Sequence, residues 1–434
     1  MKVLLVAPPF MRLMGREACY PHIGLMYLGT YLKYLGHDVT IRNLEMPLSG
    51  QLDYIGYAGL TEAHQLYLQA LNDDTHPVWQ EIPELISETQ PEVVGITSRS
   101  VQVPSALKVA EIVKGCDEHI RVVVGGIHAT ARPQDFEVPF IDDVIQGVGE
   151  WQCNKMLFGP EAKLLSKRPL DELPIPDRSL FMEEYGSEGL GHMVTTRGCP
   201  FQCSFCAQSV MWGRRVRYRS PNNILAEMKY LNKEYGVKDF TFWDDSFTIK
   251  HQRVESLCDL LVEKYWIDGW KWRCDTRMDL LNINLVQRML YAGCHRMSLG
   301  VESGSPRILK MVRKGETIEE IAEKAKLLRD ARRAYRNFKW RIYLMTGFPT
   351  ETEEEVRMSW DLAKELQPDR VCLSNFVYYP GTAIYEEGLE KGWINGYSWE
   401  EHSHQTFTGI AKEFAEWVDE YNEERGGWEG WKGS

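Results

Sequence analysis

The 434-residue sequence has no apolar run long enough to cross a membrane or to act as a secretion signal. Its opening hydrophobic run, Val3–Ala7, stops at Pro8-Pro9. A cysteine-pairing framework is also missing: the ten cysteines are scattered, so disulfides are not expected and the chain reads as cytoplasmic. Nor is there an excess of basic charge. The formal net charge of −12 argues against a general affinity for nucleic acid, whose phosphates need basic surfaces. One local exception holds Arg329, Arg332, Arg333, Arg336, Lys339 and Arg341. It reads as the solvated end of a helix running into a strand, with a docking patch for an acidic partner as the alternative. At 44% hydrophobic residues, the chain can fill the cores of two domains and an appendage.

What is present is concentrated between Thr195 and Gln208. Cys199, Cys203 and Cys206 form a Cys-x3-Cys-x2-Cys run with Phe205 before the last cysteine. Thiolates at that spacing reach three corners of a four-iron cluster, and no fourth cysteine follows closely, so one iron is left for a non-protein ligand. A zinc knuckle takes two separated cysteine pairs, and no second pair lies downstream at that spacing. Three core cysteines are the other alternative.

Around this loop the chain alternates strand-like and helix-like segments. From Met1 to about Gly149, strands are predicted at Val3–Ala7, Asp38–Arg42, Val93–Thr97, Arg121–Val124 and Asp143–Gln146. Small or turn-forming residues follow four of them: Pro8-Pro9, Ser98-Arg99-Ser100, Gly125-Gly126 and Gly147-Val-Gly149. In a doubly wound sheet these are the carboxyl ends, where ligands bind. The stretch from Trp151 to Gly189, with Pro169, Pro174 and Pro176, reads as a linker. Further strands are predicted at His192–Thr196, Asp239–Trp243, Lys271–Asp275, Arg296–Val301, Lys339–Thr346 and Arg370–Phe376, with helices such as Pro221–Tyr235 and Ile318–Ala334 between them. Repeated units of this kind imply right-handed crossovers and a parallel barrel or part of one. Beyond Ile384 the chain turns acidic and aromatic, with Trp417, Tyr421, Trp428 and Trp431, and reads as a helical cap or a substrate clamp.

The cysteine run resembles the cluster loop of the radical S-adenosylmethionine (SAM) enzymes. The segments Ala7-Pro-Pro9, Pro21–Leu25, Gly36–Val39, Val124–Ala129 and Gln146–Glu150 resemble the cobalamin-binding domain fused ahead of many radical SAM cores. The resemblance implies an α/β chain in four parts. Residues 1–150 would be a Rossmann-like, doubly wound cobalamin-binding domain and 151–189 a linker; 190–384 would be a partial (β/α)6 radical SAM barrel and 385–434 a small C-terminal helical region.

It also implies three cofactors: a 4Fe–4S cluster on Cys199, Cys203 and Cys206, SAM, and cobalamin. SAM would meet Phe205, Asp244, Asp245, Arg277, Ser298 and Glu302, because its ammonium suits carboxylates, its carboxylate suits arginine and its ribose suits Ser or Glu. Cobalamin would meet Pro8, Pro9, Tyr20, His22, Ser98, Arg99, Gly125, Gly126, His128, Gly147, Gly149 and Glu150. The family's histidine-ligand signature, Asp-x-His-x-x-Gly, is absent, which implies cobalt without a histidine below it. Tyr20, His22 and Arg99 are the polar candidates near that face.

The implied activity is cobalamin-dependent C-methylation of an unactivated carbon through a 5′-deoxyadenosyl radical and methylcobalamin. The partner is an electron donor of flavodoxin or ferredoxin type. A peptide or protein substrate fits the size, a glutamine of methyl-coenzyme M reductase being the specific case. The alternatives are small-molecule C-methylation, ring formation or rearrangement without methyl transfer, and an N-terminal domain that binds substrate or partner without cobalamin.

Overall fold

Near-continuous apolar runs in the first third of the chain bury both faces of a parallel sheet. The computed structural model describes residues 1–15, 22–46, 60–158, 169–181, 188–396 and 407–427. Strands β1 (Lys2–Ala7), β2 (Asp38–Asn43), β3 (Val93–Thr97), β4 (Arg121–Gly125) and β5 (Asp143–Val144) lie in the order β2-β1-β3-β4-β5, every pair parallel. Leu4 and Val6 pack on one face with Trp79 and Val109, whereas Val3 and Leu5 pack on the other with Leu25 and Met26. The order reverses between β1 and β3, so their carboxyl ends border the crevice in which doubly wound sheets bind ligands. Strand β5 is shorter than the predicted Asp143–Gln146. Gly147, at φ 78°, donates its N–H to Thr130 Oγ1 at 2.9 Å and turns the chain out of the ladder.

The second half is a six-stranded parallel sheet in the order β13-β12-β11-β10-β9-β6. Its strands are β6 (His192–Met193), β9 (Asp239–Phe242), β10 (Lys271–Arg277), β11 (Cys294–Glu302), β12 (Lys339–Thr346) and β13 (Arg370–Asn375). The predicted strand His192–Thr196 is split. Only His192–Met193 pairs with β9, while Thr196–Arg197 becomes β7 and pairs antiparallel with β8 (Arg217–Tyr218). The break has a local cause: Asp244 accepts the backbone N–H groups of Thr195 (2.6 Å) and Thr196 (2.9 Å), which are thereby withdrawn from the barrel ladder.

The helix Gly149–Phe158 runs across the expected boundary at residue 150. From the described part of the linker, Arg178 reaches the barrel and pairs with Glu227 Oε1 at 2.6 Å, while Arg219 holds the other carboxylate oxygen. All three side chains are buried. At the far edge of the barrel, Asn422 on the helix Ile410–Glu423 bonds both the N–H (3.0 Å) and the C=O (2.9 Å) of Val371. The helix therefore covers an edge strand.

The basic stretch is dispersed. Arg329 caps the carbonyls of Glu365 and Leu366, Arg332 pairs with Asp369 at 3.1 Å, and Arg341 bonds Ser298 on the neighbouring strand. Among the described residues no helix is long and apolar enough to cross a membrane.

Candidate active site

The β7–β8 hairpin presents the loop that holds the three cysteines. Gly198 opens the loop at φ 100°, and a Cβ there would lie 2.6 Å from the Arg215 carbonyl oxygen, so only glycine lets the two hairpin arms approach. The loop is pinned to the barrel: Ser204 N–H donates to Val312 O at 2.9 Å, and Ser204 O accepts from Ile384 N–H at 3.0 Å. Cys199, Cys203 and Cys206 are all half-buried. Burial raises each thiol above its ordinary range, Cys206 to about 12. Iron would reverse that, because coordination deprotonates a thiol outright. Three such donors on one pinned loop fit a cluster with one iron left open.

The candidate SAM residues follow the strand ends, but they differ in availability. Asp244 is 3% exposed and its carboxylate accepts the N–H groups of Thr195 and Thr196, so it shapes the entry to the cysteine loop. Asp245 is the neighbouring acid left facing the cysteine loop. Burial, reinforced by Asp244, raises its carboxyl to about 6, against the pull of the Gly198 N–H.

Arg277 is held by Asp279 through two 2.9 Å bonds and by the Lys314 carbonyl at 2.7 Å. Its Nη1 points at Cys203 Sγ at 3.6 Å, and its guanidinium lies 3.9 Å from the centre of the Phe201 ring. Glu302, at φ 73°, accepts from Lys314 at 3.0 Å, and Lys314 also lies 3.3 Å from Glu316. Ser298 sits deeper in the barrel and accepts from Arg341 Nε at 2.8 Å. Phe205 packs against the cluster of Ile308, Phe348, Phe376 and Ile384.

On the N-terminal side, Pro8, Pro9, Ser98, Arg99, Gly125 and Gly126 gather at the carboxyl ends of β1, β3 and β4. Gly126 has φ 104°, and a Cβ would meet Ser98 O at 2.7 Å and Ser98 N at 2.9 Å. Gly147 and Gly149 flank the turn into the helix Gly149–Phe158. His22 caps the helix Ile23–Tyr34 by accepting the Leu25 N–H at 3.3 Å, and burial, helped by Arg99, lowers its imidazole to about 4. Tyr20 lies outside the described residues.

Two of the candidate cobalamin residues are engaged within the protein. His128 is 1% exposed, with Nδ1 at 2.9 Å from Ser100 Oγ and Nε2 at 3.0 Å from Asp135, so both ring nitrogens serve the domain interior. Glu150 is also buried and pairs with Arg197 at 2.6 Å, joining the N-terminal domain to the hairpin strand that enters the cysteine loop.

Between the sheet ends and the cysteine loop lies a cavity of about 350 Å3, lined by Phe10, Met11, Arg99, Ile127, Ala207 and Tyr379 among others. Ala207 follows Cys206 directly. The apolar side chains Phe10, Met11, Val101 and Ile127 on the sheet side of this cavity suit the face of a bulky planar cofactor. Two residues that hold that wall were not singled out from the sequence. Glu45, 4% exposed, accepts the Phe10 N–H at 2.8 Å and pairs with Arg99 at 3.4 Å. Gln102 donates to Pro8 O at 2.7 Å. A lone Glu and a lone Gln carry no local pattern that could have marked them.

Comparison with known proteins places both halves. The radical SAM superfamily matches residues 193–363, and the B12 binding domain matches residues 15–153. A Pyrococcus horikoshii protein described as an uncharacterized methyltransferase is 29% identical, over 93% of this chain and 86% of its own. An anaerobic magnesium-protoporphyrin IX monomethyl ester cyclase from Cereibacter sphaeroides is 26% identical, over 79% of this chain and 60% of its own. Among solved structures, the radical SAM methyltransferase TsrM from Kitasatospora setae, with cobalamin and a 4Fe–4S cluster bound, superposes with a TM-score of 0.64 at 19% identity, over 90% of this chain and 78% of that one.

Proposed function

Because the chain belongs to the cobalamin-dependent radical SAM enzymes of the methyltransferase type, we propose that it C-methylates an unactivated carbon of a substrate admitted to the cavity between its two domains. The single observation that supports this reading is the shared lining: Arg99 and Ile127 come from the sheet ends, whereas Ala207 and Tyr379 come from the barrel side. Cys199, Cys203 and Cys206 would hold the cluster. Asp244 and Asp245 would meet the amino group of SAM and Arg277 its carboxylate, Ser298 and Glu302 would approach its ribose, and Phe205 would pack beside it. Pro8, Pro9, Ser98, Arg99, Gly125, Gly126, Gly147 and Gly149 would form the cobalamin wall.

When bound, the cluster supplies the electron that cleaves SAM and the corrinoid supplies the transferable methyl group. The protein's own contribution is alignment. The β7–β8 hairpin and the Glu150–Arg197 pair fix the cysteine loop against the sheet ends, so that groups held on the two sides of the cavity face one another. The chain works with an electron donor of flavodoxin or ferredoxin type in a reducing compartment. The substrate assigned is a peptide or protein side chain, a glutamine of methyl-coenzyme M reductase being the specific case.

The test is anaerobic turnover of reconstituted protein with deuteromethyl SAM, with and without cobalamin, while S-adenosylhomocysteine and 5′-deoxyadenosine are quantified together. Cobalamin-dependent formation of both, with labelled methyl in a peptide or a metabolite, is the expected result and identifies the substrate class. The similarity to a ring-forming cyclase favours one second reading. Deoxyadenosine without methyl transfer, in the presence of a competent substrate, would establish that reading instead.

A further inference from the structure

We propose that the outer face of the cluster hairpin is the docking surface for an acidic one-electron carrier protein, with Arg214 and Arg215 as its contact residues. The proposal presupposes the reaction above, in which each cleavage of SAM consumes one electron: the carrier is oxidised by one electron and the cluster reduced by one. The reductant must therefore approach the cysteine loop from outside.

The chain is strongly acidic at −12, yet Arg214, Arg215 and Arg217 crowd within four residues just after the cysteine loop. Arg214 and Arg215 are exposed, as are Pro200 and Gln202 of the loop itself. The backbone of Arg215 lies against Gly198, whose hypothetical Cβ would be 2.6 Å from the Arg215 carbonyl oxygen. Gly198 directly precedes Cys199. The Arg215 backbone is therefore packed against the residue that precedes a cysteine of the loop.

The charge here is only partly offset from within, by Glu150, which pairs with Arg197 and also acts on Arg217. Among the described residues Arg214 and Arg215 have no ion-pair partner. Arg197 and Arg217 both lie over the Trp212 ring, at 5.0 and 5.8 Å. Burial and then the charge of Arg197 lower the Arg217 guanidinium, with Arg215 adding to the effect. Like charges held together around a half-exposed tryptophan, beside a redox centre, suit an anionic protein surface. Complementary potentials of this kind speed encounter by roughly tenfold to a thousandfold and are screened by salt.

The experiment compares two reductants with the same reconstituted full-length enzyme: a reduced flavodoxin hydroquinone, which is an acidic carrier, and dithionite. The readout is the initial rate of 5′-deoxyadenosine formation across a potassium chloride series. In the R214E/R215E double variant the flavodoxin-driven rate is expected to fall at least tenfold and lose its salt dependence, while the dithionite-driven rate is unchanged. R214K/R215K should retain most of the flavodoxin-driven rate, since it keeps the charge. An unchanged flavodoxin rate in the charge-reversed variant overturns the proposal. So does an equal loss with both reductants, or a wild-type enzyme that accepts dithionite but not flavodoxin. Failure of the wild type to form deoxyadenosine with dithionite would instead strike at the reaction itself.

Discussion

Arg277 Nη1 lies 3.6 Å from Cys203 Sγ, and the guanidinium is fixed there by two 2.9 Å bonds to Asp279. An N–H aimed at a ligand sulfur stabilises the more negative, reduced state of a cluster and so raises its potential. R277Q should retain three-cysteine cluster assembly, read as iron and sulfide content, while the midpoint potential moves negative in an EPR-monitored titration. R277K should fall between the two. A midpoint unchanged in R277Q would show that the arginine leaves the sulfur once the cluster is bound.

Replacing Cys199, Cys203 or Cys206 singly by alanine should abolish the cluster absorbance and deoxyadenosine formation while the protein remains folded by circular dichroism. Cys258 and Cys294, buried in the barrel core, provide the control. C258A and C294A should lower stability yet keep the cluster. Loss of iron in either control would implicate a ligand beyond the loop.

Gly126→Ala should be costly in two ways. The φ of 104° lies where side chains are rarely tolerated, and the new Cβ would meet Ser98 backbone atoms at 2.7 and 2.9 Å. Strain of this kind costs about 1–3 kcal/mol. A lower urea midpoint accompanied by loss of bound cobalamin absorbance is expected. Unaltered cobalamin retention would place the cofactor away from this turn.

Glu150→Gln would leave Arg197 buried without its partner, a change that costs about 3–5 kcal/mol in buried pairs. The pH dependence has a definite sign. Burial alone would raise the Glu150 carboxyl, but Arg197 outweighs it and holds the folded value below the unfolded 4.5. The pair's stabilisation is therefore fully present above pH 4.5 and is lost as pH falls through the folded value. Limited proteolysis between the domains should increase on acidification in the wild type, and should already be elevated at neutral pH in E150Q.

His128 is committed to Ser100 and Asp135. The cobalt(II) EPR spectrum of the loaded protein should therefore show no nitrogen hyperfine splitting from His128, and H128A should change stability and not the spectrum. Splitting that disappears in H22A would assign the lower position to His22.

The cluster loop was legible because its information is local: three thiols at fixed spacing need only one loop to bring them together. The strands were legible for a related reason, since burial of both sheet faces imprints continuous apolar runs such as Val3–Ala7 and Val93–Thr97. Lys339–Thr346 and the helices Pro221–Tyr235 and Ile318–Ala334 match their predicted bounds.

Tertiary structure alone decided how chemically equivalent side chains divide their work. Asp244 and Asp245 are adjacent and identical in type, yet one is consumed by the backbone of Thr195 and Thr196 and the other is left facing the cysteines. His128 and Glu150 take their partners, Ser100, Asp135 and Arg197, from distant parts of the chain or from the turn that follows. Glu45 and Gln102 carry no motif and acquire a role only because folding brings them to the ends of β1 and β3. Spacing along the chain fixes what a contiguous loop can bind. Which of two like groups remains free depends on hydrogen-bond partners distant in sequence, and those are set only when the sheet, the hairpin and the barrel pack together.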